Sequence, residues 1–284
     1  MTRIALGLEY DGTDFVGWQQ QRQGRSVQQE LAAAVSAVAD EPVGVHGSGR
    51  TDAGVHAAGQ VAHFDTRAQR EPRQWLLGIN SLLADDIAVS WAKAVDSDFD
   101  ARRSAKWRRY RYQVLQQPTP SALARRRCWW VRDTLDCAAM TAAAAYWLGE
   151  NDFSAFRAAG CQSSSPLRRL MSVSVMRSGP LVVLEFKANA FLQHMVRNLV
   201  GALAEIGRGR QPAGWAAELL VGGDRTAGGV TAPPQGLTLV EIAYPERFGL
   251  PVVASDWMFL AAATSAARHA NGISGRLTAM MQCL

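Results

Sequence analysis

One order of elements runs through this chain twice, and that doubling restricts the possible folds more than any single motif. "RIALGLEY" alternates, with Ile4, Leu6, Leu8 and Tyr10 on one face and a "DG" turn behind them, so it predicts an opening strand. Ser26 with Gln29 three residues on has the capping-box pattern, and Val27, Leu31, Val35 and Val38 then recur at helical spacing. A short strand at residues 43–45 and another around residues 60–66 come next. Glu71 and Pro72 suit a helix start, and Trp75, Leu76, Ile79 and Leu83 give that helix its apolar stripe. Residues 87–95 read as a strand, completing βαββαβ.

The order then repeats. "WRRYRYQVL" (107–115) alternates, with Tyr110, Tyr112 and Val114 on one face and Arg109 and Arg111 on the other. The Ala-rich stretch 134–149 ends at Gly149 as helices do. "RRLMSVSVMR" and "LVVLEFKA" flank "SGP" as a hairpin, residues 189–207 have helical periodicity, a second helix covers 211–223, and 236–244 closes as a strand. The expectation is an α+β fold: two ferredoxin-like (βαββαβ, RRM-like) halves, residues 1–100 and 101–250, joined through a central, mainly antiparallel sheet with a cleft between them. Residues 251–284 form a tail outside both halves, and the sequence assigns them no role.

At 284 residues and 48% hydrophobic content the chain is long enough for proper cores. No run reaches the ~18 apolar residues of a membrane span, and the first residues lack the apolar block of a signal peptide. Four cysteines without a CxxC pair argue for a reduced compartment and against zinc, which makes the cytoplasm the expected location. The formal net charge of +5 is modest, so its distribution matters more than its total. Arg102, Arg103, Lys106, Arg108, Arg109 and Arg111 crowd one segment with Trp107, Tyr110 and Tyr112, and Arg125, Arg126 and Arg127 stand beside Trp129 and Trp130. Cations interleaved with aromatic rings suit a nucleic-acid surface; a solvated face is the alternative.

"GSGRTDAGVHA" (47–57) is too small-sided for a core and too polar for a plain strand. Asp52 in such a loop either makes an Asx turn or serves chemistry beside Arg50, whose guanidinium can hold a carboxylate by a forked hydrogen bond. No Lys-Ser or Lys-Thr pair follows the glycines, so this is not a Walker loop. His46, His56 and His63 have poor metal-ligand spacing, and Ser48, Asp52 and His56 lack a nucleophile elbow.

The loop "GRTDAGVHA" resembles the signature of the TruA-type tRNA pseudouridine synthases. "LEYDGTDFVGWQQQ", "RSVQQEL", "DFDARRSA", "RRYRY", "GENDFSAFR" and "KANAFLQHMVRNLVG" agree with that family in order and spacing, from about residue 3 to about residue 250. The sequence departs from it at His46–Gly49, where the family carries small or Cys-containing residues. The resemblance implies two ferredoxin-like halves with the active site between them, no cofactor or metal, and a homodimer acting on tRNA. The implied reaction isomerises uridine to pseudouridine at positions 38, 39 and 40 of the anticodon stem-loop.

By position, Asp52 is the implied catalytic residue, attacking C1′ or abstracting a neighbouring proton. Arg50 would flip the nucleotide, Tyr110 would lie against the uracil and serve in removing the C5 proton, and Arg197 would pair with Asp52. His194 and Arg197 share a helix face at i and i+3, while Phe191, Leu199 and Leu203 pack elsewhere. Arg102, Arg103, Lys106, Arg108, Arg109 and Arg111, with Arg125–Arg127, Arg168 and Arg169, would meet phosphates. A non-catalytic binder built from two RRM-like halves and a nucleoside hydrolase remain as rival readings.

Overall fold

The computed structural model describes residues 1–251, so the tail expected at 251–284 lies outside the described residues except for its first position. β1 (Thr2–Tyr10), α1 (Val27–Ala39), β2 (His46–Gly47), β3 (His56–Thr66), α2 (Pro72–Asn80) and β4 (Ile87–Val95) make up the first part. β5 (Trp107–Gln116), β6 (Trp129–Val131), α3 (Cys137–Ala145), β7 (Gly149–Asp152), β8 (Leu167–Ser178), β9 (Leu181–Ala188), α4 (Met195–Gly207), α5 (Trp215–Gly222) and β10 (Leu237–Ala243) follow.

All ten strands of the described residues join one sheet in the order β4-β1-β3-β10-β5-β9-β8-β7, with β2 against β3 and β6 against β5. The sheet is mostly antiparallel. Its seam is β10, which runs parallel to β3 (Thr238↔His56, Leu239↔Ala57) and antiparallel to β5 (Leu237↔Tyr112). The last described strand therefore ties the first part of the chain to the second.

Local chemistry explains where the helices start. Ser26 Oγ accepts from Gln29 N at 3.3 Å, Glu71 and Gln74 cap each other ahead of Pro72, and the Asp136 carboxylate accepts from the amides of Ala138 and Ala139. The alternating faces of β1, β5 and β9 turn Leu6, Leu8, Tyr112, Leu184 and Phe186 into one core with residues of all five helices, among them Leu31, Trp75, Met140, Leu199 and Leu219. Trp147 is fully buried there and donates Nε1–H to the Ala216 carbonyl at 2.9 Å, so its one polar atom is satisfied. A smaller cluster of Ala5, Val61, Phe99, Ala101 and Phe248 covers the opposite face.

Element types match the sequence expectations better than element ends. The strand expected at 43–45 falls at His46–Gly47, because Val43 and Val45 fill the core without strand pairing while His46 and Gly47 pair with His63 and Ala62. β3 begins earlier than expected, at His56. The helix expected over 134–149 is confined to Cys137–Ala145, and Ala216 and Leu219 anchor the shorter α5. The short edge strands β6 and β7 carry no alternation long enough to be seen in the sequence.

Candidate active site

The loop between β2 and β3 is built before any ligand enters. Ser48 N donates to Val61 O at 2.8 Å, and Trp18 N donates to Thr51 O at 3.0 Å. Thr51, buried, shares a 2.8 Å hydrogen bond with Tyr10 Oη, and Gln60 Nε2 donates to Gly49 O at 2.8 Å. Asp52 O accepts from Val55 N at 3.1 Å, closing a turn that needs Gly54 at φ 77°. With Thr51 facing inward, its neighbours Arg50 and Asp52 face a cleft.

That cleft has a volume of about 1030 Å³, and Arg50, Asp52, Arg108, Tyr110, His194 and Arg197 all line it. Arg197 NH1 lies 3.3 Å from Asp52 Oδ2, and the two side chains are 13% and 24% exposed. His194 Nε2 is 3.6 Å from the same oxygen, too far for a hydrogen bond. Arg197 is fixed a second time, its Nε donating to Ala232 O at 2.7 Å.

Arg50 does not hold Asp52. Its NH1 donates to Gln162 Oε1 at 2.7 Å, reaching the segment between β7 and β8. The alternation that buries Thr51 puts Arg50 and Asp52 on the same side, and it is the bond to Gln162 that draws the exposed Arg50 side chain away from the carboxylate. The helix face shared by His194 and Arg197 is also corrected: α4 starts at Met195, and His194 precedes it in the left-handed region at φ 62°. Both side chains nevertheless reach the Asp52 side of the cleft.

Tyr110 comes from the middle of β5. Its ring meets Phe191 edge-on, with centroids 5.1 Å apart, so Phe191 packs at the cleft and not away from it as expected. A Cβ on Gly49 would stand 4.0 Å from Tyr110 Oη, so the phenol lies beneath the loop. Burial pushes this hydroxyl far above its ordinary range, and the neighbouring Tyr10 adds to the shift.

The basic residues divide by strand alternation. Arg108 shares the Tyr110 face, is buried, and donates to three carbonyls: Ser48 O at 2.9 Å, Arg102 O at 2.9 Å and Asn189 O at 3.0 Å. Burial lowers its pKa. Arg102, Arg103 and Arg168 also line the cleft. Arg109 and Arg111 lie on the other face, where Arg109 bonds Glu185 and Glu241 at 3.1 and 2.7 Å and Arg111 bonds Glu185 at 2.9 Å. Lys106 is exposed and does not line the cleft. Arg127 pairs with Asp11 at 2.9 Å and Arg126 with Asp14 at 3.5 Å, beside buried His56.

Sequence reasoning missed Gln162 and the Ala232 carbonyl. A backbone acceptor leaves no residue-type signal, but Gly201, one turn after Arg197, marks the close approach of another chain segment. Among the described residues, no three His, Cys, Asp or Glu side chains gather to hold a metal, and no helix is long and apolar enough to cross a membrane.

Comparison with known proteins places the chain in a family. A family model described as tRNA pseudouridine synthase matches residues 8–102 and 143–245. The tRNA pseudouridine synthase A of Hydrogenovibrio crunogenus is 50% identical over 256 residues, 90% of this chain and 98% of that relative. The proteins of the same name from Escherichia fergusonii and Methylococcus capsulatus are 51% and 52% identical over 259 and 248 residues. These matches cover 91% and 87% of this chain, and 96% and 92% of the respective relatives.

Proposed function

The chain belongs to the tRNA pseudouridine synthase family, and on that premise we propose that it isomerises uridine at positions 38, 39 and 40 of the tRNA anticodon stem-loop, with Asp52 as the catalytic residue. The observation that carries this reading is the ion pair at the cleft. A partly exposed carboxylate is held 3.3 Å from a guanidinium that is itself fixed by Ala232 O, beside buried Tyr110 and half-buried Phe191. A pre-set carboxylate of this kind suits attack at C1′ or abstraction of a neighbouring ribose proton. The N-glycosidic bond then breaks, the uracil turns and rejoins through C5, and the C5 proton leaves.

Arg50 is exposed at the mouth of the cleft, where it can follow the target base out of the stem and occupy the stack the base leaves. Tyr110 offers the uracil a ring face. Removing the C5 proton through Tyr110 would require the phenol to lose its own proton first, which its burial opposes. Arg102, Arg103, Arg108 and Arg168 give the cleft the positive field that phosphodiesters require, with His194 beside them at the carboxylate.

Two ferredoxin-like halves, residues 1–100 and 101–250, fit the strand neighbours: β4-β1-β3-β2 on one side and β10-β5-β9-β8 on the other. The two segments matched by the family model, 8–102 and 143–245, support the same division. A homodimer and a cytoplasmic location complete the proposal. The test is to incubate the protein and its Asp52→Ala variant with unmodified tRNA, without added cofactor, and to map pseudouridine chemically. Product confined to positions 38–40 and absent with the variant is the expected result; tRNA binding without isomerisation, or release of free uracil, would overturn it.

A further inference from the structure

We propose that residues 229–236 form a strap that positions the Arg197–Asp52 pair, and that Asn198, Arg225 and Thr231 fasten it. The proposal rests on the reading of Asp52 and Arg197 as the working pair.

The strap leaves the turn after α5 and ends where β10 begins, so its far end is fixed in the sheet seam. Between these points it touches both members of the pair. On the Arg197 side, two hydrogen bonds run in opposite directions: Ala232 N donates to Arg197 O at 3.1 Å, and Arg197 Nε donates to Ala232 O at 2.7 Å. Fixing Nε orients the planar guanidinium and leaves NH1 for Asp52. On the Asp52 side, Pro234 packs against the turn at Gly54, where a Cβ would fall 3.0 Å from Pro234 Cγ. Tyr112 Oη donates to Pro233 O at 2.7 Å and fixes the level between these two contacts.

Such a close approach requires the helix surface to be bare. Any side chain at Gly201 would collide with the Val230 carbonyl oxygen, so the strap lies directly on the α4 backbone. Its fastening is a polar network in which Asn198 is buried and Arg225 and Thr231 are half-buried. Asn198, 3% exposed, donates Nδ2–H to Phe156 O at 2.8 Å, and its Oδ1 accepts from Thr231 Oγ1 at 2.7 Å and Arg225 NH2 at 3.0 Å. Arg225 also reaches Thr231 Oγ1 at 2.8 Å and Gly229 O at 3.1 Å. None of these three side chains touches Asp52. They act through Ala232, which makes them positioning residues.

Two substitutions at Thr231 separate this role from a purely structural one. Thr231→Val keeps the shape and removes the hydroxyl, whereas Thr231→Ser keeps the hydroxyl. The expected result is a kcat about tenfold lower for Thr231→Val, with KM for tRNA unchanged and activity restored by Thr231→Ser. In parallel, hydrogen exchange of the Arg197 Nε–H, followed by NMR on the uniformly labelled protein, should be slow in the wild type and in Thr231→Ser and faster in Thr231→Val. A Thr231→Val protein with unchanged kcat and unchanged Nε–H protection would overturn the proposal, as would a loss of activity that only tracks the loss of folded protein. If the wild type makes no pseudouridine, the functional reading fails, and the exchange measurement still decides whether the strap orients Arg197.

Discussion

Arg197 NH1 meets Asp52 Oδ2 at 3.3 Å across 145 residues of sequence, while Arg50, only two residues from Asp52, turns to Gln162 instead. Proximity in sequence is therefore a poor guide to which arginine serves the carboxylate. Arg197→Lys tests the point. Lys keeps the charge, but one ammonium lacks the rigid fork that bonds Ala232 O and Asp52 together. We expect kcat to fall by about 10- to 100-fold, on the order of 1.4–2.7 kcal/mol of transition-state stabilisation, with tRNA affinity retained. Single-turnover pseudouridine formation beside a binding isotherm separates the two quantities, and unchanged turnover would remove Arg197 from the mechanism.

Strand alternation sorts the arginines of β5 and the segment before it, and salt dependence reads the sorting. Arg102 and Arg103 line the cleft, so replacing either with Gln should lower the slope of log K against log salt by about 0.7–0.9. Arg109 and Arg111 are engaged by Glu185 and Glu241 on the opposite face, so Arg109→Gln should leave that slope alone and cost about 1 kcal/mol of stability. Filter binding across a salt series and urea unfolding check the two halves of this expectation. A reduced slope for Arg109→Gln would put tRNA on the far face of the sheet.

The parts legible in the sequence are those governed by local periodicity. Ile4, Leu6 and Leu8 showed the buried face of β1, Ser26 showed the start of α1, and the alternation of Tyr110 with Arg109 and Arg111 correctly separated their faces. The rest depends on long-range pairing. Nothing near His194 announces that the chain passes through the left-handed region there and delays α4 to Met195, and nothing near Ala232 announces its carbonyl as the second partner of Arg197. Asp52 was legible as a loop carboxylate, but its arginine could be named only through the resemblance of a whole motif.

Arg108 should matter more for the integrity of the cleft than for its charge. Its guanidinium joins Ser48 of the β2–β3 loop, Arg102 of the connector before β5 and Asn189 of the segment before α4, all through carbonyls. Arg108→Met leaves three acceptors facing an apolar side chain, which costs about 2–4 kcal/mol. A lower urea midpoint with an unchanged m-value is the expected result. A variant as stable as the wild type, with weakened tRNA binding alone, would make Arg108 a phosphate contact and nothing more.

Two buried histidines set a pH dependence whose sign follows from their partners. His56 Nδ1 accepts from Gly12 N at 3.0 Å while Nε2 faces Arg126 O at 2.8 Å, so the ring is neutral with its proton on Nε2. His63 Nδ1 accepts from Ala101 N at 3.1 Å, and its ring stacks on His46. Burial is the largest cause holding both below the ordinary imidazole value of 6.5, with Arg127 opposing protonation of His56 and Arg3 that of His63. The unfolded chain therefore binds protons first as pH falls, and stability is full above 6.5 and declines below it. Each histidine contributes a slope of at most about 1.4 kcal/mol per pH unit. Thermal unfolding between pH 7.5 and 5 should show Tm dropping as pH falls through 6, and His56→Gln should flatten that part of the profile. A Tm constant over this range would mean that both rings accept protons in the folded protein, His56 by turning its Nδ1–H to Asp11 Oδ1, 3.1 Å away, at the expense of the bond from Gly12 N.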